Sequence, residues 1–524
     1  MEESNAIPQE NEHVENEFTL TPDTLISKTF EGLEDVLARE LEELGAQNIC
    51  KGKRMVSFTG DKAMMYRANF SLRTAVRILK PVSRFAASNP DEVYDAVKAI
   101  SLEDYMDEDS SFAVDPVVYS DEFSHSKFVA YRVKDAIADY FREKCGKRPN
   151  VSVSNPDFRF NIHISGTDCM LSLDSSGESL HKRGYREESG DAPINEVLAA
   201  GIILMTGWHG ECDFIDPMCG SGTFLIEADL IARNIAPGVY RQQFGFEKWK
   251  DFDADLLGEI FEDDSRERAF EHHIYGYDVD GKAVGISKCN VKSANLGKDI
   301  TVEMQDFKDF KQPSEPAIIV TNPPYGERLT TDNLFETYGM IGQVLKTQFK
   351  GNDAWIISSR KDCFDRIGLR PSVRIPLLNG ELDCELRKYQ MFDGSFKDFR
   401  KEGNDIKTEE DRRFNERKKV RQEREFNKRP DRRPKTDVFE GMEDVDDEFR
   451  DRYYSLNAAH RIFEDVNHQK FQHRHRFDDE EKGGFRKSND KKYPDKKPGD
   501  RKFKGGKGGG HKPPFHSDKK RYKR

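Results

Sequence analysis

Nowhere in the 524 residues do eighteen apolar residues run together, and no two cysteines stand in a C-x-x-C pair. The first lack argues against a membrane-spanning helix. The second bears on Cys50, Cys145, Cys169, Cys212, Cys219, Cys289, Cys363 and Cys384. Scattered in this way, they read as reduced thiols of a cytoplasmic protein, and a zinc site is not expected. The first eighteen residues are acidic and have no apolar core, so they do not read as a secretory signal. The G-x-x-x-x-G-K-S/T loop is also missing, which argues against phosphate hydrolysis. Apolar residues make up only 36% of the chain against 34% charged, so part of it is expected to stay outside any core.

The net charge of −12 hides an asymmetry. Residues 401–524 carry 37 Lys and Arg against 27 Asp and Glu, and the remainder carries 47 against 69. The final 44 residues hold 17 basic and 5 acidic side chains. An acidic body with a basic tail is expected to draw a polyanion first through the tail; the plainer reading is a solubilising tail.

Hydrophobic spacing divides the chain into five stretches. Residues 1–17 are polar and expected to be disordered. Residues 18–82 form a small α+β unit, with a helix through Leu33, Val36, Leu37, Leu41 and Leu44, closed by Gly45, and a strand over Thr74–Leu79. Residues 83–175 make a second α+β unit. It has a strand over Ser111–Tyr119, a helix over Phe128–Cys145, and two strands about a turn at Gly166. Residues 190–395 alternate strand and helix and end in a hairpin at Asn379-Gly380. That order predicts a doubly wound, mostly parallel sheet with an antiparallel edge. After residue 396 the composition becomes charged and low in complexity.

The chemistry concentrates at strand ends of the third unit. Asp216-Pro217-Met218-Cys219-Gly220-Ser221-Gly222-Thr223 lies between a strand and a helix. Glycines there let backbone approach a ligand, and the helix start offers free N–H groups. Leu225 replaces the third glycine of a dinucleotide fingerprint, and Gln242 stands where its acid belongs, so a dinucleotide is disfavoured. Asp278 and Asp306 end the next two strands. The first suits two ribose hydroxyls, the second an exocyclic amine of adenine, and Asp216 suits an ammonium group. Each alone is an ordinary strand-end cap. Together they describe a nucleoside joined to an amino acid, which fits S-adenosyl-L-methionine. Ile318–Thr321 then reads as a covered strand running into Asn322-Pro323-Pro324-Tyr325. Two prolines lock this turn and remove donors, leaving carbonyls, an amide and an aromatic ring. Asn322 can accept from an amine N–H, and Tyr325 can stack on a base. Adjacent His272 and His273 would point apart on a strand, so no metal is expected.

Basic residues cluster at Arg142, Lys147 and Arg148, and again at His181, Lys182, Arg183, Tyr185 and Arg186. Either cluster reads as a solvated face or as a phosphate and base contact, the second better because it mixes cations with an aromatic.

The segments over 216–223, 276–280, 305–307 and 321–329 resemble the motif series of class I amino-methyltransferases. Those over 128–151, 176–187 and 192–208 resemble THUMP-containing RNA guanine-N2 methyltransferases, across about residues 20–393. That resemblance implies a ferredoxin-like segment (18–82), a THUMP RNA-binding domain (83–175) and a Rossmann-like methyltransferase with a mostly parallel seven-stranded sheet. It implies Asn322, Pro323, Pro324 and Tyr325 as catalytic residues. It implies Asp216, Pro217, Gly220, Gly222, Thr223, Asp278, Asp306 and Asn322 as cofactor contacts. The implied substrate is a guanine of large-subunit (23S) ribosomal RNA, free or in a precursor ribosomal particle; the basic tail lies outside the resemblance, and its charge alone makes it the expected auxiliary RNA contact. Transfer RNA guanine, adenine-N6 or a catalytically silent assembly role remain the alternatives. The turn alone does not choose among bases. Some relatives carry a second methyltransferase module after the first, and the low-complexity tail gives no such expectation.

Overall fold

A computed structural model describes residues 21–190, 193–311, 313, 315–325 and 331–392. The disorder expected of residues 1–17, the tail from 396 and the motif beyond Tyr325 lie outside the described residues.

The described chain builds two sheets. The first holds eight strands, β1 (Thr24–Lys28), β2 (Gln47–Gly52), β3 (Met55–Thr59), β4 (Arg77–Ala86), β5 (Ser111–Tyr119), β6 (Asn150–Val151), β7 (Phe158–Ser165) and β8 (Asp168–Asp174), in the order β2-β3-β1-β4-β8-β7-β5-β6. Helices α1 (Glu34–Leu44), α2 (Lys62–Ser71), α3 (Pro90–Lys98) and α4 (Ser126–Cys145) accompany it. Strand β7 alternates buried and half-buried residues, as a sheet with one covered face requires. Strand β4 runs through the boundary expected between residues 82 and 83, so the two amino-terminal units share one sheet. The strand expected over Thr74–Leu79 instead begins at Arg77 and continues to Ala86, past Pro81, which cannot donate to a ladder. The structure places Pro81 beside a register shift in the β4–β8 pairing, where the missing donor is tolerated.

The second sheet holds β9 (Asp213–Asp216), β10 (Ile274–Asp278), β11 (Ile300–Met304), β12 (Ala317–Thr321), β13 (Asp353–Ser358), β14 (Val373–Asn379) and β15 (Leu382–Gln390). Their order is β11-β10-β9-β12-β13-β15-β14. The first five are parallel, and β15 pairs antiparallel with β13 and β14. This is the mostly parallel seven-stranded sheet expected. All five residues of β12 are buried, because helices cover both faces of its centre. The helices are α5 (Glu196–Thr206), α6 (Thr223–Ala232), α7 (Ala254–Glu262), α8 (Gly281–Ser293), α9 (Thr331–Gln348) and α10 (Lys361–Ile367). The chain order reverses between β9 and β12, and in such sheets ligands bind outside the strand ends at that point.

The segment between α6 and β10 belongs by sequence to the second sheet but packs with the first. Phe244, Phe246, Trp249 and Ile260 join the core of the eight-stranded sheet. Phe246 stacks on Tyr66 of α2, ring centroids 4.0 Å apart, and Phe261 packs on Phe70 at 4.7 Å. Each such pair contributes about 0.5–1.5 kcal/mol beyond the area it buries. Backbone approach is equally close there: a Cβ on Gly177 would stand 2.9 Å from the Gly245 nitrogen, and Gly177 has φ +74°. The insertion therefore fastens the two sheets together.

Candidate active site

Three strand ends converge where the sheet order reverses. Asp216 ends β9, Asp278 ends β10 and Thr321 ends β12. Asp216 is buried, and its Oδ1 accepts from the Thr321 hydroxyl at 2.7 Å and from the Met218 N–H at 3.2 Å. Burial pushes its carboxyl up to about 7, against those two hydrogen bonds, and the neighbouring Asp278 adds to the rise. The Asp278 oxygens accept from the Gly220 N–H and the Asp280 N–H, both at 2.9 Å. Asp278 thus pins the glycine loop to β10. Asp306 accepts from the Lys308 N–H at 3.0 Å, and its other oxygen lies 2.8 Å from Lys308 Nζ. Those bonds hold its carboxyl below the usual range.

The loop between Asp216 and α6 turns through two left-handed glycines, Gly220 at φ +54° and Gly222 at +80°. A Cβ on Gly220 would meet nothing within 4 Å, so its outer side faces open space. One on Gly222 would strike Ser287 Oγ at 2.4 Å, so only glycine fits against α8. Pro217 is buried beneath the loop. Thr223 opens α6 and is buried.

The loop is held from below by a residue that sequence reasoning assigned elsewhere. Arg186 donates to Ser221 Oγ at 2.9 Å and to Thr223 Oγ1 at 2.8 Å, and pairs with Glu196 at 2.7 Å. Asn290 of α8 donates to the Ser221 carbonyl at 3.0 Å while its own oxygen takes the N–H groups of Glu187 and Glu188.

The acceptor turn differs. Asn322 Oδ1 is buried with no hydrogen-bond partner. Pro323 is buried and Pro324 exposed. Tyr325 is half-buried, and its hydroxyl accepts from Asn379 Nδ2 at 2.7 Å. Burial pushes that hydroxyl up to about 12. An orphan buried oxygen costs about 1–3 kcal/mol. It persists here beside the loop and fits a site made to receive an N–H.

The second basic cluster requires correction. Arg183 is 2% exposed and paired with the fully buried Glu227 of α6 at 3.3 Å, with further bonds to the carbonyls of Leu180 and Arg73. Tyr185 is 1% exposed and donates to Glu227 at 2.9 Å. Neither presents an accessible surface; both tie the domain junction to α6. Arg186 is engaged by Ser221, Thr223 and Glu196 at the glycine loop. Burial and the neighbouring Arg183 and Lys182 push His181 down to about 4, so it carries no charge for a phosphate at neutral pH. Lys182 pairs with Glu178, Arg142 with Asp139, and Lys147 with Asp109. These pairs are exposed and worth at most about 1 kcal/mol, so phosphate could displace them. Arg148 is exposed. His273 bonds Thr301 at 2.7 Å. No group of three metal-binding side chains occurs among the described residues, and no described helix is long and apolar enough to cross a membrane. All eight cysteines are free.

A seven-stranded sheet in this order, with a glycine loop after its first strand and an acceptor-rich turn after its fourth, defines a Rossmann-like class I methyltransferase. Residues 183–388 match a family described as RMKL-like, methyltransferase domain. Residues 87–174 match the THUMP domain and 24–79 the RlmL ferredoxin-like domain. A Synechocystis sp. protein named "Putative RNA methyltransferase slr0064" is 38% identical over 378 residues, 72% of this chain and 98% of that one. The ribosomal RNA large subunit methyltransferase K/L of Methylococcus capsulatus is 39% identical over 68% of this chain and 49% of its own length. The chain thus spans about half the length of the K/L relatives it matches. The crystal structure of SMU.472, described as "a putative methyltransferase complexed with SAH", superposes with TM-score 0.64 at 29% identity, over 71% of this chain and 99% of that one. The chain belongs to the THUMP-containing, RMKL-like family of RNA methyltransferases.

Proposed function

We propose that this protein transfers a methyl group to the exocyclic N2 amine of a guanine in large-subunit ribosomal RNA. The observation that carries amine methylation is the partnerless Asn322 Oδ1 at the end of β12, beside the glycine loop. Guanine and ribosomal RNA rest on the motif resemblance and on the names of the K/L relatives.

The cofactor of this fold is S-adenosyl-L-methionine, which supplies an activated methyl on a sulfonium. The residues present fit it. Open space above Gly220 admits the ligand, and Gly222 and Thr223 shape the loop beneath it. Asp278 has lone pairs left for ribose hydroxyls, Asp306 can exchange Lys308 for an adenine amine, and Asp216 can hold an ammonium. On the acceptor side, an exocyclic amine is a poor nucleophile because its lone pair is delocalised into the purine. Asn322 Oδ1 and the Pro323 carbonyl accept its two N–H groups, which turns the lone pair out of the ring. Catalysis is then mainly positioning, with no covalent nucleophile. Tyr325 offers its ring to the base, which stacking elsewhere values at about 1–3 kcal/mol. A paired base must first leave its helix.

The test is labelled S-adenosylmethionine with ribosomal and transfer RNA from cells lacking the protein, followed by mass-spectrometric mapping. Label on a 23S guanine N2 is the expected result. Label confined to transfer RNA or to adenine would replace this assignment, and none would remove it.

A further inference from the structure

The acceptor turn is braced by the carboxyl-terminal hairpin. Asn379 ends β14, pairs with Leu382 in the β14–β15 ladder, and is followed by Gly380 at φ +64°. Two strands and a tight turn therefore fix its backbone. Its Nδ2 donates to the Tyr325 hydroxyl at 2.7 Å across 54 residues of chain. The same hydroxyl lies beside the side chains of Cys384 and Asn322. Asn322 Oδ1 has no partner, so the edge of Asn322 able to meet the hydroxyl is its NH2 group. With the NH2 edge turned toward the hydroxyl, Oδ1 is the side left for an incoming amine.

We propose that Asn379 is a positioning residue for methyl transfer: by holding the Tyr325 hydroxyl it fixes the Tyr325 ring and the orientation of the Asn322 amide. The proposal rests on the amine-methylating reading and deepens it. The competing view is that Asn379 serves only the hairpin turn, where asparagine is favoured for its own reasons.

A double-mutant cycle separates the two. Asn379→Ala is expected to lower kcat on the order of tenfold through loss of alignment, with cofactor affinity by calorimetry unchanged. Tyr325→Phe removes the same bond without touching the hairpin and keeps the ring, so it should lose a similar factor. The double variant should be no slower than either alone. Unchanged kcat in Asn379→Ala, or losses that multiply in the double variant, would overturn the proposal. A readout free of any RNA substrate runs beside it. In protein labelled with 3-fluorotyrosine, the resonance that vanishes in Tyr325→Phe should move in Asn379→Ala. A resonance that stays in place rejects the proposal even if methylation of guanine fails to be found. Conversely, an inactive wild-type protein with a shifted resonance would sink the functional reading and leave the brace standing.

Discussion

The two sides of the active site are built to opposite rules. On the cofactor side each predicted acid already has protein partners: Asp216 holds Thr321 and Met218, Asp278 holds Gly220, and Asp306 holds Lys308. On the acceptor side Asn322 Oδ1 is buried and has none. The cofactor loop is thus preorganised by internal bonds, whereas the acceptor turn keeps an unmet demand for a donor. On the function proposed above, that difference puts affinity on one side and rate on the other.

The sharpest way to break that division is Asn322→Ala. Methyl transfer should fall by at least about 10²–10³-fold, the loss typical of removing one preorganised hydrogen-bonding group at a reacting centre. Cofactor affinity by calorimetry should stay unchanged; a parallel loss of affinity would show the two sides are not separable. Next in size is Arg186→Ala. It leaves Glu196 buried and unpaired and releases Ser221 and Thr223, so stability should drop by about 3–5 kcal/mol in denaturant unfolding. Cofactor affinity should weaken while RNA affinity holds. An RNA-binding defect with intact cofactor binding would restore the surface reading of that residue.

A smaller effect comes from pH. Asp216 has a carboxyl raised to about 7, well above its ordinary 3.8, so below that pH the folded protein without ligand holds it protonated. The stability this gives is full below about pH 4 and is lost as pH rises through about 7. A ligand ammonium needs the ionised form, so cofactor affinity should run the other way, about tenfold weaker at pH 6 than on the plateau above 7. Titration calorimetry across that range checks it, and a flat profile would remove Asp216 from the ammonium site. Smallest is the tail. Deleting residues 400–524 should weaken RNA affinity modestly and flatten its dependence on salt. An identical salt slope would show that the tail is no binding arm.

Much of the site was legible because its signals are local. The glycine loop, the strand-end acids and the double-proline turn are each contiguous, and the alternation of strand and helix gave the sheet. What escaped depends on partners far along the chain. Charge counting placed Arg183, Tyr185 and Arg186 at the surface, yet Arg183 and Tyr185 answer to Glu227, and Arg186 to Glu196, Ser221 and Thr223. A usable clue lay in α6, where Glu227 interrupts a helix whose ten residues are all buried. Buried carboxylates call for buried cations, and the nearby arginines were the ones available. Asn379 was read only as a turn residue because period and propensity cannot show what a side chain reaches. The aromatics from Phe244 to Trp249 likewise pack on residues nearly two hundred positions upstream, such as Tyr66, which spacing within the segment does not reveal.

That insertion has a practical corollary for anyone dissecting the chain. The family boundary at residue 183 looks like a natural place to begin a gene fragment. A fragment of residues 183–392 would nonetheless carry Phe244, Phe246 and Trp249 without Tyr66 and the rest of the core that shelters them. A bare aromatic patch of that kind promotes aggregation. The segment is in effect a tenon cut for a mortise in the other half. A soluble minimal enzyme should therefore keep everything from β1 (Thr24–Lys28) onward, whereas the 183–392 fragment expressed by itself should precipitate.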